Sequence, residues 1–360
     1  MTITAFDEFY IHQIQQMIDK VGSDSPNAFE RCFISCHNAD GTLNLHAGIG
    51  SYPNTNVMDG FVCVRYKEVQ RNIFLSRHLE SDRANLAIGP FSIEVLEPLK
   101  RLRIELGEND YGIGCSLEFK ARGVPWPRPY LKYPGGMGDQ AGYDQGARFS
   151  GSITFEDKKF NANGFFGGRD RTWGARGVAN TKGETYKHGG KELGKGDLIE
   201  IWSFAHFSDC CLHIGFTMEF GDYIIGRKGV ILYDDGTLIP IEDMRHRIEF
   251  VPGTRQWSGM ELLLKDANGK ERHVTINPIS PECHLKGGRH DAHGKDRGIF
   301  HVEGEKWDVS KWLGLGHELF SNFNMNHRIA TFQMDGGEIG VGFFESMFSL
   351  GEDWVYKPTW

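Results

Sequence analysis

From Arg31 onward, apolar residues come in short runs or at every second position: "RCFISCHN", "LNLHAGIG", "GFVCVRYKEV", "RNIFLSRHL", "NLAIGPFSIEVLEP" and "IGCSLEFKAR". A period of two marks strands, and many short strands in succession predict an antiparallel barrel or sandwich. A different period opens the chain. Phe6, Phe9, Tyr10, Ile14, Met17, Ile18 and Val21 fall at steps of three and four, with Asp7, Glu8, Gln13, Gln15, Gln16 and Asp19 between them. That spacing predicts an amphipathic helix on the outside of a β structure or against a partner subunit, as in a homodimer. Its polar face carries almost no Lys or Arg, which argues against a place on a membrane surface.

Turn compositions separate the runs: Asn38 to Gly41, Met58-Asp59-Gly60, Gly89-Pro90 and Gly107 to Asp110. In "LKRLRIEL", Leu99 is out of step with Leu102, Ile104 and Leu106, so the register of that strand stays open. The stretch from Gly123 to Gly146 breaks the rhythm with four prolines and with Trp126, Tyr130, Tyr133 and Tyr143. It reads as a long aromatic loop, either a lid over an apolar ligand or an Ω-like loop packed on itself. A hairpin turn is expected at Glu156 to Lys159, and Thr181 to Asp197, rich in Gly and Lys, is the best linker composition in the chain. Beyond it the strand-like runs resume, with good hairpin turns at Tyr233 to Gly236 and Asp266 to Gly269.

Composition narrows the picture. A chain of 360 residues is long for one core, so two domains are expected. The 46 glycines are nearly twice the usual share of about 7% and suit a turn-rich β fold. A net charge of −8 with no basic block excludes a nucleic-acid surface. No basic start with an apolar run opens the chain and no long apolar segment follows, so a soluble, cytoplasmic protein without a membrane span is expected. Cys32, Cys36, Cys63, Cys115, Cys210, Cys211 and Cys283 are odd in number and lack a C-x-x-C pair, which fits buried, reduced thiols.

The candidate chemistry gathers in "GGRDRTWGARG", residues 167 to 177. On a strand, Arg169, Arg171 and Trp173 share one face, and Asp170, Thr172 and Arg176 share the other. In a functional reading Asp170 is an acid or base, Arg171 and Arg176 are fixed positive charges and Trp173 is an aromatic wall. In a structural reading Asp170 pairs with Arg169 or Arg176 at a barrel corner, and spacing alone leans that way. His206 shares a strand face with Trp202 and Phe204 in "IWSFAHF", where it is a second proton-transfer group or an ordinary hydrogen-bonded histidine. Glu345 is an outside candidate. His284, His290, His293 and His301 lie in a Gly- and charge-rich piece that reads as a solvated loop, so no metal is expected. No phosphate loop, G-x-S-x-G or dinucleotide fingerprint is present, and no cofactor is expected.

The frame made by "GSYPN", "VLEPLKRLRIEL", "YDQGARFSGSI", "GGRDRTWGARG" and "GVGFFE" resembles a bacterial family of two-domain lipocalin-like proteins related to the carotenoid hydratases (hydroxyneurosporene synthases). The likeness runs roughly from Asn38 to Glu345. It implies an all-β fold of two consecutive lipocalin-like antiparallel β-barrel domains with an N-terminal amphipathic helix. The segments are 1–26 for the helix, 27–195 for the first barrel and 196–360 for the second. It also implies a hydrophobic cavity and cofactor-free protonation of a double bond. The family motif commonly reads Arg-Asp-His-Ser-Trp-Gly, whereas Arg171 and Thr172 stand here in the His and Ser places. Arginine stays protonated and cannot cycle a proton. The expectation is a cofactor-independent lyase or isomerase of the hydratase, dehydratase or cyclase type, acting on a terpenoid, steroid-like or polyketide-like molecule. Its catalytic set is Asp170, Arg171, His206 and Arg176. Trp173, Trp202, Phe204, Tyr143, Trp126 and Glu345 would line the ligand. The alternative is a non-catalytic binding protein for the same kind of ligand.

Overall fold

The computed structural model describes residues 3–10, 22, 25, 28–132, 138–176, 186–188, 191–193, 198–220, 223–252, 256–284, 301–308, 325–349 and 356–360. Apart from two 3-10 turns, Ala5–Glu8 and Pro53–Thr55, its regular elements are strands. The first half contains β1 (Ala28–His37), β2 (Leu43–Tyr52), β3 (Val57–Tyr66), β4 (Val69–His78), β5 (Ala87–Ile88), β6 (Phe91–Glu97), β7 (Arg101–Leu106), β8 (Ile113–Ala121), β9 (Trp126–Lys132), β10 (Gly138–Phe155), β11 (Lys158–Asn161) and β12 (Phe165–Arg176). A two-stranded ribbon follows, β13 (Tyr186–His188) with β14 (Lys191–Leu193). The second half contains β15 (Leu198–His206), β16 (Cys210–Phe220), β17 (Tyr223–Gly226), β18 (Gly229–Tyr233), β19 (Leu238–Phe250), β20 (Trp257–Asp266), β21 (Glu271–Pro278), β22 (Cys283–His284), β23 (His301–Asp308), β24 (Met325–Met334) and β25 (Ile339–Ser349).

Two barrels result, as a two-domain lipocalin-like fold requires. In the second, the order β15-β25-β24-β21-β20-β19-β18-β16 is closed by pairing of β15 with β16. In the first, the order β4-β3-β2-β1-β12-β10-β8-β7-β6-β5 comes close to closing, because β5 returns to lie against β3 and β4. The outer edge of β4 is paired along its length by β23, a strand that comes from the second half of the sequence. Apolar side chains fill each barrel: Ile34, Leu45, Val62, Ile104 and Phe119 in the first, and Leu212, Leu262, Val274, Phe332 and Phe344 in the second.

The barrels meet side by side. Every residue of β2 is buried, as are all of β3 but Tyr66 and all of β1 but Arg31, because one face lines the first barrel and the other meets the second. Phe33, Phe61, Cys63 and Phe74 pack there against Trp202, Phe204, Cys211, Ile329 and Phe343. Strands buried on both faces lose the simple apolar-polar alternation, which is why these segments read irregularly.

Several expectations change. The stretch from Gly123 to Gly146 is not a lid or an Ω-like loop but largely β9 and the first part of β10. Pro127 and Pro129 are tolerated because β9, among the described residues, is an edge strand paired with β10 alone. Met58-Asp59-Gly60 lies inside β3, where a Cβ at Gly60 would crowd the Gly48 carbonyl at 3.1 Å. Leu99 sits in a left-handed turn before β7, so Leu102, Ile104 and Leu106 keep one buried face. The helix expected over 6–21 is a 3-10 turn through Glu8, and residues 11–21 lie outside the described residues. The linker expected at 181–197 is described only in β13 and β14. All seven cysteines are buried. No helix among the described residues is long and apolar enough to cross a membrane.

Candidate functional site

The site is built by strand register. Asp144 on β10 lies directly opposite Asp170 on β12, which in turn lies opposite Phe33 on β1. Both carboxylates project from the outer face of the first barrel toward the second. Arg128, on edge strand β9, reaches over them: Nε donates to Asp144 Oδ2 at 2.6 Å, and Nη2 donates to Asp144 Oδ1 at 2.5 Å and to Asp170 Oδ2 at 3.2 Å. Two buried carboxylates thus share one guanidinium. Burial pushes the Asp144 carboxyl up to about 6 against the pull of Arg128, with the neighbouring Asp170 adding to the rise. Both Asp144 oxygens are held by Arg128, whereas Asp170 Oδ1 is buried without a hydrogen-bond partner.

The second barrel supplies the wall. The guanidinium of Arg128 lies 5.4 Å from the Trp202 ring centre, and Trp202 meets Phe33 and Phe204 edge to face. His213 stacks on Phe204 at 4.4 Å, meets Trp126 edge to face at 5.0 Å and brings Nε2 to 3.5 Å from Asp144 Oδ2. Burial, reinforced by Arg128, holds His213 well below its ordinary range and therefore neutral. On the other side of Phe33, His327 Nε2 lies 2.7 Å from Glu345 Oε2, and His46 packs against His327 with ring centres 4.7 Å apart. Phe33 touches Trp202, His46 and His327, so it joins the two polar groups.

The sequence motif therefore divides between two environments. Asp170 faces the interbarrel site, and its partner is Arg128 rather than Arg169. Arg169 and Arg171 point into the first barrel. Arg169 binds both oxygens of Glu8, at 2.6 and 2.9 Å, and Arg171 donates to Glu30 Oε2 at 2.8 Å while covering the Tyr10 ring at 4.0 Å. Tyr143 and Trp173 lie on that inner face with them. Trp126, Trp202, Phe204 and Glu345 are brought to the interface. His206 reaches it at another point: its Nε2 lies 2.8 Å from the Gly167 carbonyl, three residues or about 10 Å of extended strand from Asp170. The side chains of Arg176, His284 and His301, and all of His290 and His293, lie outside the described residues. No group of three or more metal-ligating side chains occurs among the described residues.

Asp144, Arg128, His213, His46 and His327 were not singled out by sequence reasoning. Each is an isolated polar residue whose partners are set by pairings across the sheet. The available signal was a charged or imidazole side chain inside a run that otherwise reads as buried strand.

Residues 3–352 match a family of unknown function, DUF8625. No curated protein matches. Among solved structures, the chain is similar to a candidate AttH from Nitrosomonas europaea, with a TM-score of 0.55, 13% identity and coverage of 94% of this chain and 98% of that one. It is also similar to kievitone hydratase from Nectria haematococca (TM-score 0.47, 10% identity, 95% and 94% covered) and to CghA (0.48, 11%, 97% and 98%). At such identities the first likeness establishes a shared fold and no reaction.

Proposed function

As a chain that belongs to DUF8625, a family described only as one of unknown function, this protein must be read from its own geometry, and we propose that it is an acid-base enzyme acting on a hydrophobic small molecule between its two barrels. The observation that carries this reading is the Asp144–Asp170 pair. Two buried carboxylates share Arg128, one of them pushed up to about 6, beside an aromatic wall. The raised Asp144 carboxyl can carry a proton up to about pH 6, and Asp170 beside it presents an oxygen without a hydrogen-bond partner, Oδ1, through which a proton can pass to or from a substrate. Trp202, Phe204, Trp126 and Phe33 suit an apolar ring or polyene. Proton delivery to a substrate carbon, followed by proton loss, water addition or ring closure, is isomerase or lyase chemistry that needs no cofactor. A terpenoid, steroid-like or polyketide-like substrate is the class that the resemblance to carotenoid hydratases favours. In this reading Arg171, standing where that family commonly has His, is not the proton carrier, since it faces the opposite side of β12 and is paired with Glu30.

The test begins with native mass spectrometry of the protein purified from its own host, to capture the bound molecule. Wild type should convert it, and Asp144→Asn and Asp170→Asn should each lower turnover by roughly 10²- to 10⁴-fold, the range of a lost general acid-base group. A captured ligand that wild type leaves unchanged would make this a binding protein.

A further inference from the structure

Beyond Phe33, the interface holds two imidazoles that the carboxylate pair does not use. His46, on β2, and His327, on β24, are fully buried, with ring centres 4.7 Å apart at 65°. Each has one nitrogen committed. A carboxylate only accepts, so the 2.7 Å contact to Glu345 places a proton on His327 Nε2, and in the neutral ring Nδ1 is then the acceptor. Asn44 Nδ2 donates to His46 Nε2 at 2.7 Å, which places the proton of His46 on Nδ1 as a donor. Both Nδ1 atoms are buried without a hydrogen-bond partner. A buried polar atom left unpaired is costly, so the site is poised for a group that satisfies both.

A hydroxyl is that group, because one oxygen accepts from His46 Nδ1–H and donates to His327 Nδ1. The geometry points to a hydroxyl-binding subsite formed by His46 and His327, with Glu345 and Asn44 as positioning residues that fix the two tautomers. Its ligand is a hydrophobic ring compound bearing a hydroxyl. Phe33 on β1 lies opposite both Asp170 and Gly48, and His46 is two residues from Gly48. Strand spacing therefore puts the Cα atoms of His46 and Asp170 about 12 Å apart, the length of a few fused rings. Neutral His46 suits this role: burial first, and His327 next, hold it well below its ordinary range. The inference deepens the acid-base reading by giving the substrate a second anchored end, and its place in turnover rests on that reading. Its binding does not.

The test compares 2-naphthol with naphthalene, which lacks only the hydroxyl, by titration calorimetry on the whole chain. Wild type should bind 2-naphthol at least tenfold more tightly, and His46→Leu and His327→Leu should each abolish that preference while naphthalene affinity stays within twofold. Histidine side-chain ¹⁵N spectra of wild type provide a measurement independent of whether the variants fold. The Nδ1 signals of His46 and His327 should move with 2-naphthol and not with naphthalene. Equal affinities, or Nδ1 signals indifferent to the hydroxyl, would overturn the subsite and leave it a place for buried water. Asp170→Asn should retain the naphthol preference. If it does, while turnover of the natural ligand survives in that variant, the carboxylate mechanism fails and the subsite stands.

Discussion

Burial shifts protonation in opposite directions at Asp144 and at the buried histidines. Asp144 has its carboxyl raised, so its native form holds a proton more tightly than its unfolded form. Its contribution therefore falls as pH rises from about 4 to about 6. The buried histidines act in the opposite direction. His37 is pushed down to about 4, chiefly by burial, and His46, His206 and His213 also lie well below 6.5. Their stabilisation is complete above 6.5 and is lost as pH falls, for His37 alone by on the order of 3 kcal/mol by pH 4. Urea unfolding between pH 4 and 8 should show stability dropping steeply below 6.5, and Asp144→Asn should make that drop steeper by removing the opposing carboxyl. A drop unchanged or shallower in the variant would refute the assignment of the raised carboxyl. His206 supplies a separate test. Its replacement by Leu leaves the buried Gly167 carbonyl without its side-chain donor and should cost about 1–3 kcal/mol in the same assay. Turnover should stay within a few-fold of wild type, whereas a proton-transferring His206 would lose far more.

At the scale of elements, β12 carries the design. Its inner face holds Arg169 against Glu8 and Arg171 against Glu30, and its outer face holds Asp170. Gly167 has φ 154°, and a Cβ there would stand 1.9 Å from the Ser35 carbonyl of β1. Gly167→Ala should therefore separate β12 from β1 and destabilise by about 3 kcal/mol or more, read as a fall in urea midpoint. Glu8 is equally committed. Burial opposes its charge, but Arg169, the Leu99 amide and Arg171 together outweigh burial and lower its carboxyl below 4.5. Glu8→Gln strands a buried guanidinium and should cost about 3–5 kcal/mol. These pairings also explain what could be read in advance. The alternation in "IWSFAHF" and "RDRTW" is local, and it places Trp202, Phe204 and His206 on one face of their strand and Asp170 opposite Arg169 and Arg171 on theirs. His46 and His327 are more than 280 residues apart in sequence. Only the packing of β2 against the second barrel makes them neighbours, and no spacing along the chain encodes that. Glu8 was hidden in another way, since a helical pattern assigns it to a polar face, while the structure buries it against Arg169.

The molecule as a whole is two barrels joined by an aromatic and ionic seam. That seam accounts for the many strands whose alternation is blurred, and it puts the proposed chemistry where neither barrel alone has a complete wall. Residues 27–195 expressed by themselves should expose Phe33, Phe61 and Phe74 together with the β4 edge, and should aggregate or bind a hydrophobic dye such as ANS. A monomeric, dye-silent first half would show that the seam is dispensable to it.

The edge of β4 has one more consequence, which concerns the order of synthesis. Its cover, β23, lies at residues 301–308, after six of the eight strands that close the second barrel have been made, all but β24 and β25. The growing chain must carry an incomplete first barrel through most of translation, and completion waits on a strand made near the end. A nascent chain halted before residue 301 should still offer that edge to proteases and chaperones, and one extended past 308 should not.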